Sequence, residues 1–178
     1  MSGAHGHHLG YSVSGAGDMN FDKHAEFMAS SLLSDLARGS VKVFDGASGA
    51  LLHGVSGGEP DVFGRALVLA CAGDLDLDGR DDFLVGDACD LVLQCGRAGR
   101  VRAYSGLDAS LLGAVDGLRN DQLGFALDSM GDLDGDHVPD FVVGAFRADL
   151  QGADAGAVLL FSGSPFQRRP LAPPARVR

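Results

Sequence analysis

Asp74, Asp76, Asp78 and Asp82 stand at positions 1, 3, 5 and 9 of the stretch Asp-Leu-Asp-Leu-Asp-Gly-Arg-Asp-Asp, with Gly79 at position 6. Alternating carboxylates around a glycine suit a hard divalent cation. Ca²⁺ takes roughly 6 to 8 oxygen ligands at about 2.3–2.6 Å, and a short loop supplies them from alternate side chains plus a backbone carbonyl near position 7. That carbonyl would belong to Arg80. Gly79 lets the chain reverse sharply at positive φ without a Cβ clash. Without an ion such a loop repels itself: two like charges about 4 Å apart cost roughly 1 kcal/mol in water and about 4 kcal/mol at an effective dielectric near 20. Four converging carboxylates therefore splay, take up protons, or close on a cation.

The pattern occurs three times, beginning at Asp18, Asp74 and Asp132, at spacings of 56 and 58 residues. The third copy offers Asp132, Asp134, Asp136 and Asp140, with Val138 at the carbonyl position and His137 at position 6. Histidine tolerates positive φ better than most residues, so a working, slightly strained loop is expected. The first copy is more worn, with Asp18, Asn20, Asp22 and Glu26 as donors and Lys23 at position 6, which brings a positive charge beside an ion. The expected order of sites is copy two, copy three, copy one. A single copy would read equally well as a solvated acidic turn, since Asp, Asn and Gly favour turns for local reasons. Recurrence with the same flanks is what points to metal. An EF-hand would need a bidentate acid at position 12, where this chain has Ala29, Val85 and Val143.

Each acidic loop lies between two apolar or small-residue runs: Leu9 to Ala16 and Glu26 to Ser30, Phe63 to Ala72 and Phe83 to Val85, Leu123 to Met130 and Phe141 to Val143. Runs of this length bounded by Gly and Asp read as strands, with the loop as the tip of a hairpin. A third strand is expected at Ser40 to Phe44, Arg100 to Tyr104 and Ala157 to Phe161, each followed by a glycine at 46, 106 or 163. A fourth is expected at Leu51 to Val55 and Leu111 to Val115, with none in the third copy. Ala25 to Leu36 starts as strand and continues as a loop with room for a helical turn. Four short strands per repeat predict an all-β chain of propeller-type blades. The expected organisation is a flexible segment 1–8, three blades at about 9–57, 63–117 and 123–164, and a disordered Pro- and Arg-rich tail at 165–178.

The flanks carry a family resemblance. Phe63-Gly64 before the loop and Leu84-Val85-Gly86 after it resemble an FG-GAP repeat, the blade unit of the integrin alpha-chain N-terminal propeller and of many secreted bacterial proteins. Copy three is similar, with Leu123-Gly124 and Val143-Gly144-Ala145-Phe146. Copy one keeps Leu9-Gly10 but has Ala29-Ser30 in place of Gly-Ala. The resemblance, over about residues 9 to 164, implies a propeller with Ca²⁺ in the hairpin loop between the first two strands of a blade, supporting adhesion or ligand binding. Propellers close with about 4 to 8 blades, and three do not make a ring. The chain is therefore expected to be a fragment with blades missing, or to associate as a homo-oligomer.

Half of the acids, 12 of 24, lie in the three nine-residue loops, so the net charge of −10 reports the loops rather than a polyanion-binding surface. Nucleic acid is excluded as a partner on that ground, and no membrane-inserted segment is read. Four basic residues after position 165 read as a solvated tail, and His5, His7 and His8 as a flexible end. Cys89 and Cys95 are close enough for a small disulfide, and Cys71 reads as a buried filler. A secreted or cell-surface setting suits both a bridge and calcium, although residues 1 to 20 show no signal peptide. No nucleophile elbow, phosphate loop or Cys-x-x-Cys pair occurs, so no enzyme is read. The expected function is a calcium-binding propeller segment of an extracellular adhesion or ligand-binding protein, with an unidentified protein or glycan as ligand. The alternatives are an accessory propeller of a secreted hydrolase or lyase, and a self-assembling structural repeat protein.

Overall fold

A computed structural model of the chain describes residues 3, 6–32, 39–57, 63, 67–88, 98–150, 152–163 and 167–169. Among these residues, twelve strands form three four-stranded antiparallel sheets. The first holds β1 (Leu9–Gly17), β2 (Glu26–Ser31), β3 (Ser40–Phe44) and β4 (Leu51–Ser56). The second holds β5 (Leu67–Gly73), β6 (Asp82–Asp87), β7 (Arg100–Tyr104) and β8 (Leu111–Asp116). The third holds β9 (Leu123–Gly131), β10 (Asp140–Ala145), β11 (Ala157–Ser162) and β12 (Gln167–Arg169). Each is a meander in sequence order, the pattern of a propeller blade, and the described residues contain no helix. It follows that no helix among them is long and apolar enough to cross a membrane.

Two expectations are corrected. The third sheet has a fourth strand, because β12 pairs with β11 through Leu160 and Arg169, Phe161 and Arg168, and Ser162 and Gln167. Arginines, which read as a solvated tail, therefore extend the sheet through backbone hydrogen bonds that are indifferent to side-chain type. Cys71 is half-buried in β5 rather than enclosed, and burial pushes its thiol pKa up. The Cys89–Cys95 pair, His5, Gly64, the helical-turn segment 33–38 and the tail from 170 lie outside the described residues.

The sheets stack in chain order, with β1 packed on β5 and β5 on β9. Alternation along each strand sends one side chain to each face, and the middle sheet buries both. Ala16, Met28, Val41 and Val43 of the first sheet meet Leu67, Leu69, Phe83, Val85 and Tyr104 of the second. On the far face of the second sheet, Ala72, Leu84, Val101 and Ala103 meet Phe141, Val143, Leu159 and Phe161 of the third. β6 is accordingly buried at every residue. A stacked ring pair bridges the second and third strands of each sheet: Phe27–Phe44 at 5.3 Å, Phe83–Tyr104 at 5.3 Å and Phe141–Phe161 at 5.4 Å between centroids. Burying a Phe side chain fully contributes about 1.5–3 kcal/mol, which makes Phe83–Tyr104 and Phe141–Phe161 strong apolar anchors between sheets, whereas Phe27–Phe44 lies on the outer face of the first sheet.

The FG and GAP glycines have a packing reason. A Cβ on Gly86 would lie 2.4 Å from the Gly124 carbonyl oxygen, and one on Gly124 would lie 3.1 Å from the Asp87 amide nitrogen. The two motif glycines let the backbones of adjacent sheets touch.

Candidate metal centres

The acidic loops join the first and second strands of each sheet. In every copy the strand enters its loop through a β-bulge, where the pairing skips Ala16, Ala72 or Met130. The glycine after the bulge has positive φ: Gly17 at 70°, Gly73 at 73° and Gly131 at 67°. A bulge bends the strand and re-aims the backbone beyond it, here turning positions 1 to 5 into a compact coil.

Four hydrogen bonds repeat in all three loops. The position-6 amide donates to the position-1 carboxylate: Lys23 to Asp18 at 3.1 Å, Gly79 to Asp74 at 2.8 Å and His137 to Asp132 at 2.9 Å. The position-5 amide donates to the position-3 side chain: Asp22 to Asn20 at 2.8 Å, Asp78 to Asp76 at 3.2 Å and Asp136 to Asp134 at 3.2 Å. The position-7 amide donates to position 5: His24 to Asp22 at 2.8 Å, Arg80 to Asp78 at 2.8 Å and Val138 to Asp136 at 2.9 Å. The position-2 amide donates to position 9: Met19 to Glu26 at 2.5 Å, Leu75 to Asp82 at 2.7 Å and Leu133 to Asp140 at 2.8 Å. A carboxylate has about four acceptor sites, so one or two amides fix its orientation and leave lone pairs over.

The backbone reverses where expected, with φ of 70° at Lys23, 91° at Gly79 and 72° at His137. Position 4 is also left-handed in every copy, at Phe21 (64°), Leu77 (61°) and Gly135 (80°). Nothing in a phenylalanine or leucine signals this, since such residues rarely adopt it.

The donors converge in three groups, each with its ligand atoms within 4.8 Å of one another: Asp18, Asp22 and Glu26; Asp74, Asp76 and Asp78; Asp132, Asp134 and Asp136. Asn20 hydrogen-bonds Asp22 and, at 2.9 Å, Asp45, a residue absent from the expected set that follows β3. Position 9 sits deeper than a surface loop suggests: Glu26, Asp82 and Asp140 are 1%, 0% and 1% exposed. Asp82 is spoken for on both sides, since its second oxygen accepts the Gly106 amide at 2.8 Å. Arg80 and Val138 occupy position 7 as expected, but their side chains leave the loop. The Arg80 guanidinium bonds the Met19 carbonyl and lies 4.3 Å from the centroid of Phe21, whereas Val138 is buried between sheets.

Charge is distributed unevenly. Burial lifts the Asp82 carboxyl to about 6 against the amides of Gly106 and Leu75, and the Asp76 charge adds to the rise. Asp76 is also raised, first by burial and then by its neighbours Asp78 and Asp74. Asp132 is lowered, chiefly by the His137 amide. The first loop contains buried oxygens without a hydrogen bond, Asp18 Oδ1 and Glu26 Oε1. A buried, orphaned carboxylate oxygen costs free energy unless a partner satisfies it, and a cation is the partner that both these atoms and the gathered charges fit.

The exit of the third strand clamps each loop. A Cβ on Gly46, Gly106 or Gly163 would lie 1.9, 2.0 or 2.1 Å from the position-8 carbonyl oxygen of Ala25, Asp81 or Pro139. The three glycines were visible as a recurring signal, and this contact is what they serve.

No protein-family model matches the chain. Over 104 residues, 52% of the chain, it is 38% identical to integrin alpha-E of Homo sapiens, and over 112 residues, 57% of the chain, 36% identical to integrin alpha-E of Mus musculus. Over 170 residues, 89% of the chain, it is 29% identical to integrin alpha-5 of Xenopus laevis. The chain spans 9% of the length of the first two relatives and 15% of the third. In sequence and in sheet order alike, the chain carries integrin-alpha-like FG-GAP repeats.

Proposed function

We propose that this chain is a calcium-binding propeller segment of an extracellular adhesion or ligand-binding protein, in which each ion stiffens the tip of one hairpin and has no catalytic role. The observation that carries the reading is the convergence of three hard-oxygen groups in repeat-equivalent loops, one of which encloses the orphaned oxygens of Asp18 and Glu26. Oxygen donors alone, with no thiol or imidazole in any group, favour Ca²⁺ over zinc or copper. In the second and third loops, Asp74, Asp76, Asp78 and Asp132, Asp134, Asp136 would hold the ion, with Asp82 and Asp140 braced beneath. Similarity to integrin alpha chains supports the adhesion setting and the non-catalytic role. A protein or glycan ligand would bind the loops carried by the rigid sheets.

Calorimetry and thermal melting test the reading. Chelator-stripped protein should take up calcium, and ligand at 100 times its dissociation constant should add about 2.7 kcal/mol per site. Asp78→Ala combined with Asp136→Ala should remove most of the calcium-dependent rise in melting temperature. An unchanged rise in the double variant would overturn the ligand assignment.

A further inference from the structure

The first acidic loop departs from the other two at position 3, where Asn20 stands in place of Asp76 and Asp134. A second departure accompanies it. The residue just before the clamping glycine is Asp45 in the first sheet but Ser105 and Ser162 in the others, and all three are buried. The turn there does not call for a carboxylate. Asp45 donates its amide to the Ala50 carbonyl and accepts the Gly49 amide, both at 2.8 Å, while Ser105 makes the same two bonds with Ser110 and Ala109, both at 2.9 Å. What the carboxylate adds is a contact with the loop. Its Oδ1 accepts the Ser48 amide and hydroxyl, and its Oδ2 accepts the Asn20 amide nitrogen at 2.9 Å.

An aspartate offers an oxygen whichever way it is turned. An asparagine does not, because one end of its amide accepts and the other carries two N–H donors, which a cation repels. An ionised carboxylate only accepts, so Asp45 selects the amide nitrogen and leaves Asn20 Oδ1 facing the loop. That nitrogen also reaches Asp22 Oδ2 at 3.2 Å. Oδ1 accepts the Asp22 amide at 2.8 Å, as the Oδ1 atoms of Asp76 and Asp134 accept theirs. A carbonyl oxygen has two lone pairs, so one is left for an ion. An independent sign of a ligand in this loop is Glu26, which is 1% exposed and has an Oε1 without a hydrogen bond.

We propose that Asp45 is a positioning residue of the first loop, pinning the Asn20 amide so that a neutral side chain presents oxygen where the other loops carry aspartate. The inference rests on the calcium reading of the loops and extends it to a residue outside their nine-residue pattern. Groups that orient a metal's ligands from behind are typically worth about 10–100-fold in metal affinity.

Site-resolved calcium titration by NMR on the 178-residue chain tests this. Asp45→Ser should weaken uptake at the first loop about 10-fold or more and leave the third loop unchanged. In chelator-stripped protein the same substitution should shift the Asn20 side-chain amide resonances, because their acceptor is gone. Serine closes the equivalent turn at position 105, so the melting temperature of the stripped variant should stay near wild type. In an Asn20→Asp background, Asp45→Ser should cause no loss, since the double variant recreates the Asp76 and Ser105 combination. Equal losses in both backgrounds would reduce Asp45 to a nearby negative charge and overturn the proposal. Unmoved Asn20 resonances, or an unchanged affinity in Asp45→Ser, would overturn it too, and each of these results leaves the calcium reading standing. A wild-type first loop that takes up no calcium sinks that reading for this loop and the proposal with it.

Discussion

The second and third acidic loops share one cage pattern but grip the sheet before them by different chemistry. The second loop reaches back with polar groups: Arg80 bonds the Met19 carbonyl and covers Phe21, and the Asp81 carboxylate accepts the Asp18 amide at 3.1 Å. The third loop reaches back with apolar ones: Val138 joins the core beside Leu75, and Pro139 lies against Gly73, where an added Cβ would be 2.8 Å from its ring. Positions 1, 3, 5 and 9 accept the amide hydrogen bonds that repeat in every loop, so the seam is written in positions 7 and 8. Asp18 belongs to the first acidic loop and Leu75 to the second, so each seam ties one loop to the next.

That contrast can be broken from either side. Leu75→Ala should destabilise the protein by about 3 kcal/mol, as removal of a buried leucine leaves a cavity, and chemical denaturation would read it. A cost below about 1 kcal/mol would mean that the apolar seam is loosely packed. Asp81→Ala removes one charge-assisted bond and should cost about 1 kcal/mol. It should also weaken calcium uptake at the first loop while leaving the third unchanged, as site-resolved titration by NMR would show. Equal effects at both sites would deny the asymmetry. A pH series on chelator-stripped protein sharpens the difference further. Asp82 has a folded pKa raised from 3.8 to about 6, so its stabilising contribution is complete below about 4 and is lost as pH rises through about 6. Asp132 is lowered, so its contribution is present above the ordinary carboxylate range and fades as pH falls. Relative to Asp82→Asn, the wild type should therefore lose stability between pH 4 and 6, and a gain over that interval would contradict the assignment. Asp116→Asn, in the exposed pair with Arg100, should change the melting free energy by about 0.5 kcal/mol or less.

Eleven of the twelve strands were legible because apolar runs, Gly-Asp punctuation and a fixed period all pointed the same way. β12 was not, since Gln167, Arg168 and Arg169 have no apolar signature and pair through the backbone. The gathering of acidic side chains in each loop could be read from spacing alone, as could the left-handed turn at Gly79 and His137. Missed were the left-handed Phe21 and Leu77, whose conformation is imposed by the surrounding hydrogen bonds against their own preference. The long-range bond from Gly106 to Asp82 was also invisible, because 24 residues separate donor and acceptor. Asp45 lies outside the acidic-loop spacing, and only folding brings it beside Asn20.

The chain has no tryptophan and two tyrosines. Tyr104 lies 7% exposed between the first two sheets, stacked on Phe83 and edge-on to Phe63, while Tyr11 stands on the uncovered face of the first sheet. Intrinsic ultraviolet emission from this protein therefore comes from two vantage points only, one enclosed and one facing solvent. Iodide quenching should divide the signal between them, giving an optical view of the molecule's interior and of its rim without any label.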